Sequence, residues 1–147
     1  MDFRKEKDAL GEVDVPLDSY YGSFTARALK NFDLSGYSPC EWFRTAIGIV
    51  KKSACMANTE LGLLDPDMST AMVRSLDEFL EGKFDHEYRL DFFQAGAGTP
   101  FNMNINEIIA NRANEMLGHG KGTYALVHPN NHVNMGQSSN DVIPAAI

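Results

Sequence analysis

Three stretches of the chain carry apolar residues at the spacing of one helix face. The first runs from Pro39 to about Leu61, the second begins at Pro66, and the third runs from Ile105 to Leu117. Apolar positions three and four residues apart lie on one side of a helix and need a covering surface. The pattern therefore predicts a mainly α-helical domain with three or more helices. On the first helix, the face expected to be buried consists of Trp42, Ala46, Ile49, Val50, Ala57 and Leu61.

Each predicted helix has a start signal and a stop signal. Ser38 with Glu41 fits a capping box, in which side chains bond the free N–H groups of the first turn. Asp65, followed by a proline, fits a second start, because proline is tolerated at the first helical position. Asn104 with Glu107 repeats the capping-box spacing. Glycines that fit the stops follow each stretch: Gly62, Gly82 and Gly118.

The two ends of the chain follow other patterns. Residues 1–37 contain turn formers and are expected to be irregular or extended, and Tyr20–Gly22 fits either a strand or a packed turn. Ser138–Asp141 fits a fourth helix start, with Pro144 close to its first turn. A helix this short is marginal by itself. Because the chain stops at Ile147, the sequence is interpreted as the first part of a longer protein.

Composition and charge bound the class of protein. The chain has 147 residues, of which 44% are hydrophobic, which is enough for one domain with a core. The net charge of −7 argues against nucleic acid as a partner, because phosphate binding needs a Lys/Arg surface. Lys51 and Lys52 form the only local basic pair, which is interpreted as a solvated helix face.

Hydropathy, the charges of the first residues and the cysteines indicate the cellular compartment. No apolar run approaches the roughly 20 residues of a membrane span, so no membrane partner is expected. The charged first residues exclude a secretory signal, and two cysteines without metal-type spacing fit a reducing environment. The protein is therefore expected in the cytoplasm.

Two segments are rich in polar side chains without charge. Residues 94–106 contain no ionisable side chain, and residues 122–147 contain no Lys or Arg and one acid, Asp141. Hydroxyl, carboxamide and backbone N–H groups can together surround a carboxylate. Gly96 and Gly98 would let the backbone approach a ligand, and the helix start near residue 138 would offer free N–H groups. The two segments are candidates for an anion site.

Each of these features also has a purely structural interpretation. Gly96–Thr99 fits an ordinary tight turn, and Ser138–Asp141 fits an ordinary helix cap. His128 and His132 have the spacing of a metal pair on a helix, but Pro129 argues against a helix there and no third ligand is evident. No metal site is predicted. Composition and spacing alone leave a helical domain with a candidate anion site.

Taken together, the same residues resemble the signature regions of the fumarase/aspartase superfamily. The first region is Gly96–Thr99, followed by Asn102-Met103-Asn104, Asn106-Glu107 and Ala110-Asn111. The second is His128–Asn134, followed by Gln137–Asp141 and Pro144. Upstream matches are Gly11-Glu12, Val15-Pro16, Tyr20–Gly22, Thr25, Arg27-Ala28, Asn31-Phe32, Lys51-Lys52, Ala57-Asn58 and Glu60-Leu61. The match spans nearly the whole chain, in order and at the family's spacing.

The resemblance implies a subunit of three domains that assembles as a homotetramer through a central helix bundle, with sites built from three subunits. Residues 1–137 would form the N-terminal domain of this fold, with a short extended segment before its helices, and residues 138–147 would begin the bundle. The family reversibly adds water or an amine to fumarate or a related dicarboxylate, and the resemblance implies no cofactor. The general base and acid would lie beyond Ile147, so the 147 residues alone are expected to be inactive.

The family's substrate contacts fall on six residues: Ala97, Gly98, Thr99, Ser138, Ser139 and Asn140. Thr99, with the backbone of the two residues before it, would hold one end of the dicarboxylate or its amino or hydroxyl group. Ser138 and Ser139 would help bind the carboxylate beside the carbon that loses its proton, and Asn140 would contact the leaving group. Removing that proton creates an aci-carboxylate with extra negative charge, which preorganised donors stabilise. Pro100 departs from the family pattern.

A second, peripheral dicarboxylate site of fumarases is matched in part. Its stretch reads His-Pro-Asn-Asp, and here His128, Asn130 and Asn131 stand at the corresponding positions, with asparagine in place of the final acid. The basic residue expected just ahead is replaced by Ala125–Val127.

Two branches of the family compete for the function. Gly96–Thr99 and Tyr20–Gly22 resemble aspartate ammonia-lyases, whereas Ser138–Asn140 and Val127–Pro129 are closer to fumarate hydratases. Aspartate ammonia-lyase is the first expectation and fumarate hydratase the alternative, so the expected partner is a small dicarboxylate. A non-catalytic structural relative is a third interpretation, which the intact Thr99 and Ser138–Asn140 oppose. A separate helical binding module is a fourth, which the abrupt final segment opposes.

Overall fold

The computed structural model describes residues 2–147, and its elements are mostly helices. In chain order they are β1 (Phe3–Asp8), β2 (Gly11–Pro16), α1 (Ser23–Asn31), α2 (Glu41–Glu60), α3 (Pro66–Leu80), α4 (Thr99–Met116) and α5 (Ser139–Ala146). A short 3₁₀ turn spans Asp85–Glu87 and a π-turn spans Pro129–Val133. The predicted mainly α-helical class is confirmed. Within residues 2–147, no helix combines the length and the apolar character that crossing a membrane requires.

The first 37 residues are more regular than predicted. β1 and β2 form an antiparallel hairpin in which Phe3 lies opposite Pro16. Only two of the twelve strand residues are buried and many side chains are charged, which hides the alternation that would identify a strand. Tyr20–Gly22 is a packed turn, because the N–H groups of Tyr20 and Tyr21 both donate to the Glu87 carboxylate.

Helix α1 was not predicted, because the group that caps it lies far away in the sequence. The Glu107 carboxylate, in the middle of α4, accepts hydrogen bonds from the N–H groups of Gly22, Phe24 and Thr25 at 2.9–3.1 Å. A helix start needs acceptors for its free N–H groups, and here a distant side chain supplies them. The predicted capping box of Asn104 and Glu107 is therefore wrong.

Helices α2 and α3 occupy the predicted stretches. Asp65 caps α3 as predicted, accepting from the N–H groups of Asp67 and Met68. The start of α2 differs, since Cys40 is its first boundary residue and the structure gives no capping bond from a side chain there. The capping box that starts at Ser38 is wrong for this reason.

The predicted buried face of α2 is wrong in part: Ala46 and Val50 pack against the core, but the other four predicted residues are exposed. Trp42 and Leu61 are exposed, with 81% and 72% of their surface accessible. The residues that α2 buries are Ile47, Gly48, Lys51 and Cys55. This face packs against α3 and α5. Because it contains a glycine and a lysine, hydrophobic periodicity does not reveal it.

Helix α4 is the centre of the molecule and starts six residues earlier than predicted. Every residue from 100 to 111 is buried. In the first two turns, Asn102, Asn104 and Asn106 are polar, which interrupts the apolar pattern and hides these turns. Helices α1, α3 and α5 and the π-turn pack around α4. The side chains at the centre of the core include Ile47, Met72, Leu76, Ile105, Ile108 and Ile109.

Candidate active site

The first turns of α4 and α5 lie side by side. Gly98, which precedes α4, lies against Ile143 of α5, so closely that an added Cβ at Gly98 would come within 2.8 Å of the Ile143 Cγ1. One turn further along α4, the Asn102 Nδ2 donates to the Ser139 Oγ at 2.9 Å. The fold therefore brings the two uncharged polar segments together at neighbouring helix N-termini.

The loop before α4 has an uncommon backbone. Gly96, Ala97 and Gly98 all have positive φ, at 76°, 51° and 80°. A non-glycine residue in this region is strained, and such strain persists where the surroundings enforce it. Thr99 then begins α4, and its Oγ1 donates to the Gly96 carbonyl at 2.7 Å. The loop therefore holds the Thr99 hydroxyl in a fixed position at the helix start.

The start of α5 carries the other candidate residues. Ser138 caps the helix as predicted, because its Oγ accepts from the Asn140 N–H at 3.2 Å. Ser139 is half-buried, whereas Ser138 and Asn140 are exposed. Both the cap and the bond to Ser139 are made without any charged side chain. The site that these residues form is polar and neutral.

A buried lysine, Lys51, lies behind the first turns of α4 and α5. Lys51 is only 1% exposed, and its Nζ donates to the Asn134 Oδ1 and the Gln137 Oε1, both at 2.8 Å. Burial lowers the pKa of Lys51 to about 7. The interpretation of Lys51 as a solvated residue is therefore wrong. Lys51 lies four residues after Ile47 and four before Cys55, which places it on the buried face of α2. This spacing is visible in the sequence and could have indicated that Lys51 is buried.

Asn102, Asn106 and Asn134 complete the layer between the lysine and Ser139. The Nδ2 atoms of Asn102 and Asn106 both donate to the Asn134 Oδ1, at 3.1 and 3.2 Å. Asn102 also bonds Ser139, so the chain of hydrogen bonds reaches from Lys51 to the candidate site. The sequence places these asparagines in the two uncharged polar segments and in the family's signature regions, but it predicts no individual role for them.

The three residues of the peripheral site lie in the π-turn. The His128 Nδ1 accepts from the N–H groups of Asn130 and Asn131, and the His132 Nδ1 accepts from the His128 N–H. Burial lowers the pKa of both histidines, which favours the neutral imidazole. A helical turn does form after His128, contrary to expectation, because Pro129 occupies its first position. No cluster of three or more metal-binding side chains occurs within the described residues 2–147.

An apolar groove adjoins the two helix starts. It has a volume of about 650 Å³, and Gly98 and Ile143 form part of its wall together with Trp42, Phe43, Phe92 and Phe101. A dianion needs donors rather than aromatic side chains, so this groove does not suit a dicarboxylate.

Known proteins share both the sequence and the fold. A family model described as a lyase matches residues 11–147. A class II fumarate hydratase of Halobacterium salinarum is 51% identical over 146 residues, which cover 99% of this chain and 31% of that protein. An aspartate ammonia-lyase of a Bacillus species is 50% identical over 145 residues, with the same two coverages of 99% and 31%. The crystal structure of fumarate lyase:delta crystallin from Brucella melitensis in native form gives a TM-score of 0.96 at 45% identity, covering 99% of this chain and 34% of that one.

The chain belongs to the lyase family that includes class II fumarate hydratases and aspartate ammonia-lyases. The resemblance drawn from the signature regions is thereby confirmed. The chain spans about a third of the length of the relatives that it matches.

Proposed function

We propose that the protein, in its full encoded length, is a carbon–nitrogen lyase that eliminates ammonia from L-aspartate to give fumarate. The observation that carries this proposal is the meeting of the starts of α4 and α5 at Asn102 and Ser139, in a chain about half identical to lyases of this family. The substrate is a dianion with an added ammonium group. Neutral donors at helix N-termini suit the carboxylates of such a molecule.

The reaction breaks one C–H bond and one C–N bond and forms one C=C bond. A base takes a proton from the carbon beside one carboxylate, the electron pair of the C–H bond forms the new double bond, and ammonia departs from the neighbouring carbon with the electron pair of the C–N bond. Charge builds up on that carboxylate in the transition state. Ser138 and Ser139 are proposed to bind this carboxylate, because preorganised donors lower the barrier when they face developing charge.

The other substrate contacts are proposed for the loop before α4 and for Asn140. Thr99, with the backbone of Ala97 and Gly98, is proposed to hold the other end of the substrate, and Asn140 is proposed to contact the leaving ammonia. The positive φ of Ala97 supports this role, since strained backbone is retained where a fixed geometry is needed. The base and the acid are proposed to come from residues beyond the 147 of this chain.

Several further assignments belong to this proposal. Residues 1–137 form the N-terminal domain and residues 138–147 begin a central bundle, through which the protein assembles as a homotetramer. The protein acts in the cytoplasm. His128, Asn130 and Asn131 are kept as a peripheral contact for a dicarboxylate. The support for this contact is the matched sequence stretch.

Fumarate hydratase is the second candidate, and the 51% identity to such an enzyme favours it. Aspartate and malate differ by an ammonium or a hydroxyl on one carbon. A site built to bond one of them rejects the other when its buried partners are left unpaired.

Parallel kinetics on the full-length protein decide between the two. Fumarate formation is followed by its absorbance with L-aspartate and with L-malate, and kcat/KM is expected to be higher for aspartate. A higher kcat/KM for malate would replace the first candidate by the second. Absence of fumarate from both substrates would favour a non-catalytic relative.

A further inference from the structure

Backbone carbonyls determine the orientation of the side-chain amides of Gln137 and Asn134, which lie behind Ser139. The Gln137 Nε2 donates to the carbonyls of Val133 and Met135, at 3.0 and 3.3 Å, so its Oε1 must point the other way. The Asn134 Nδ2 donates to the Gln137 carbonyl at 2.9 Å, which fixes its Oδ1 in the same manner. Because a carbonyl can only accept, neither amide can be turned over without losing its bonds. Both amides therefore present oxygen atoms to the interior.

Three groups, Lys51, Asn102 and Asn106, donate to those oxygens. The Lys51 Nζ carries at least two hydrogens whether it is charged or neutral, and it bonds the oxygens of Asn134 and Gln137. The Asn102 amide lies 3.1 Å from the Asn134 Oδ1. If the Asn102 amide were reversed, its oxygen would face the Asn134 oxygen, and two buried acceptors would oppose each other. Asn102 must therefore present its Nδ2 to Asn134.

The Asn102 Nδ2 also faces Ser139, and this determines whether the Ser139 hydroxyl donates or accepts toward Asn102. One hydrogen of the Asn102 Nδ2 goes to the Asn134 Oδ1 and the other goes to the Ser139 Oγ at 2.9 Å. The Ser139 oxygen therefore accepts from Asn102. A serine hydroxyl that accepts on one side keeps its own hydrogen for another partner. That hydrogen is free to be donated on the side of Ser139 away from Asn102.

We propose that Asn102 is a positioning residue for Ser139, and that Lys51 and Asn134 hold it in the orientation that makes the Ser139 hydroxyl a donor to a substrate carboxylate. This inference rests on the proposed function for the identity of the substrate. The orientation itself follows from the hydrogen bonds and holds for any anion bound at Ser139. Asn102 touches no reacting atom and acts through Ser139.

Asn106 provides a matched control for Asn102. It lies one turn further along α4, is equally buried, and donates to the same Asn134 Oδ1, but its other close polar neighbour is the Met103 sulfur rather than Ser139. Replacing each asparagine by leucine keeps the size of the side chain and removes its donors. A purely structural role of this layer predicts similar effects of the two changes, whereas positioning predicts different ones.

The test uses the full-length protein and its kcat/KM for fumarate formation. Asn102→Leu is expected to lower kcat/KM by at least about tenfold more than Asn106→Leu, since a misplaced group can cost about 10² in rate. In the double variant with Ser139→Ala, Asn102→Leu is expected to cause no further loss, because it acts through a group already removed. Equal losses from the two leucine variants, or losses that multiply in the double variant, would overturn the inference.

A readout without catalysis separates this inference from the proposed function. In crystal structures of the two variants, the Ser139 side chain is expected to leave its wild-type rotamer in Asn102→Leu and to keep it in Asn106→Leu. If the wild-type protein forms no fumarate from aspartate or malate, the proposed function fails and the Ser139 rotamer decides the inference. An unchanged rotamer in Asn102→Leu would overturn it, whatever the activity.

Discussion

Lys51 and Glu107 are buried charged residues whose hydrogen bonds hold other parts of the molecule in place. Glu107 accepts from three N–H groups at the start of α1, and Lys51 donates to two amide oxygens next to the candidate site. Burial raises the pKa of Glu107 to about 7 and lowers that of Lys51 to about 7. Removing a charged group from water disfavours its charged form, which explains both directions. The molecule tolerates these costs because each group is hydrogen-bonded.

The pKa of Lys51 makes stability depend on pH. The unfolded chain keeps its proton on this lysine up to about 10.5, whereas the folded protein releases it near 7. Between these values the unfolded state binds more protons, so raising the pH through this window stabilises the folded state, by up to about 1.4 kcal/mol per pH unit. Urea unfolding at about pH 7 and about pH 9 is expected to show this slope for the wild type but not for Lys51→Met.

Lys52→Met is the control for this measurement. It removes one positive charge from the neighbouring position of α2, where the side chain is 31% exposed and pairs with Asp77. This variant is expected to keep the wild-type slope. The explanation fails if Lys51→Met and the wild type gain stability equally with pH.

At the scale of elements, the predicted and observed helices differ where the deciding contact is distant in sequence. The start of α3 could be predicted, since Asp65 and the proline after it act within one turn. The start of α1 could not, because its cap is Glu107, which bonds Gly22 across 85 residues. The first turns of α4 were missed because asparagines occupy positions that the fold buries. Local patterns identify local contacts, and tertiary structure decides the others.

The contact between α4 and α5 depends on the absence of a side chain at Gly98. An alanine there would adopt φ near 80° and place its Cβ within 2.8 Å of Ile143. At Gly118 the φ is 84°, but no atom lies within 4 Å of an added Cβ. Both substitutions carry the cost of left-handed backbone, about 1–2 kcal/mol. Gly98→Ala is expected to cost about 1–3 kcal/mol more, because it overpacks the contact.

Denaturant unfolding of the two alanine variants measures this difference. Gly118→Ala isolates the backbone cost, so the excess in Gly98→Ala reports the contact between the two helix starts. Equal free energies of unfolding would mean that α5 moves away from Gly98 without cost and that the two starts are not held together.

At the scale of the whole molecule, the candidate site lies where the central helix meets the last one. The sequence could place Thr99 and Ser138–Asn140 in the candidate site only through the resemblance to the lyases, because an ordinary turn and an ordinary helix cap explain the same residues more simply. The fold adds what sequence reasoning missed: the layer of Lys51, Asn134 and Asn102 behind Ser139. These three residues lie on separate elements or loops, and no spacing in the chain signals that they meet.

If the starts of α4 and α5 bind a substrate rather than merely shape the backbone, removing the Thr99 hydroxyl must lower the catalytic rate. The Thr99 Oγ1 donates to the Gly96 carbonyl at 2.7 Å, and the Thr123 Oγ1 makes the same bond to the Gly120 carbonyl at 2.7 Å, in a different glycine-containing turn. In the full-length protein, Thr99→Ala is expected to lower kcat/KM for fumarate formation by about 10²–10³, the order that loss of one hydrogen-bonding group in an active site costs. Thr123→Ala is expected to stay close to the wild type, and equal activity of the two variants would contradict the account.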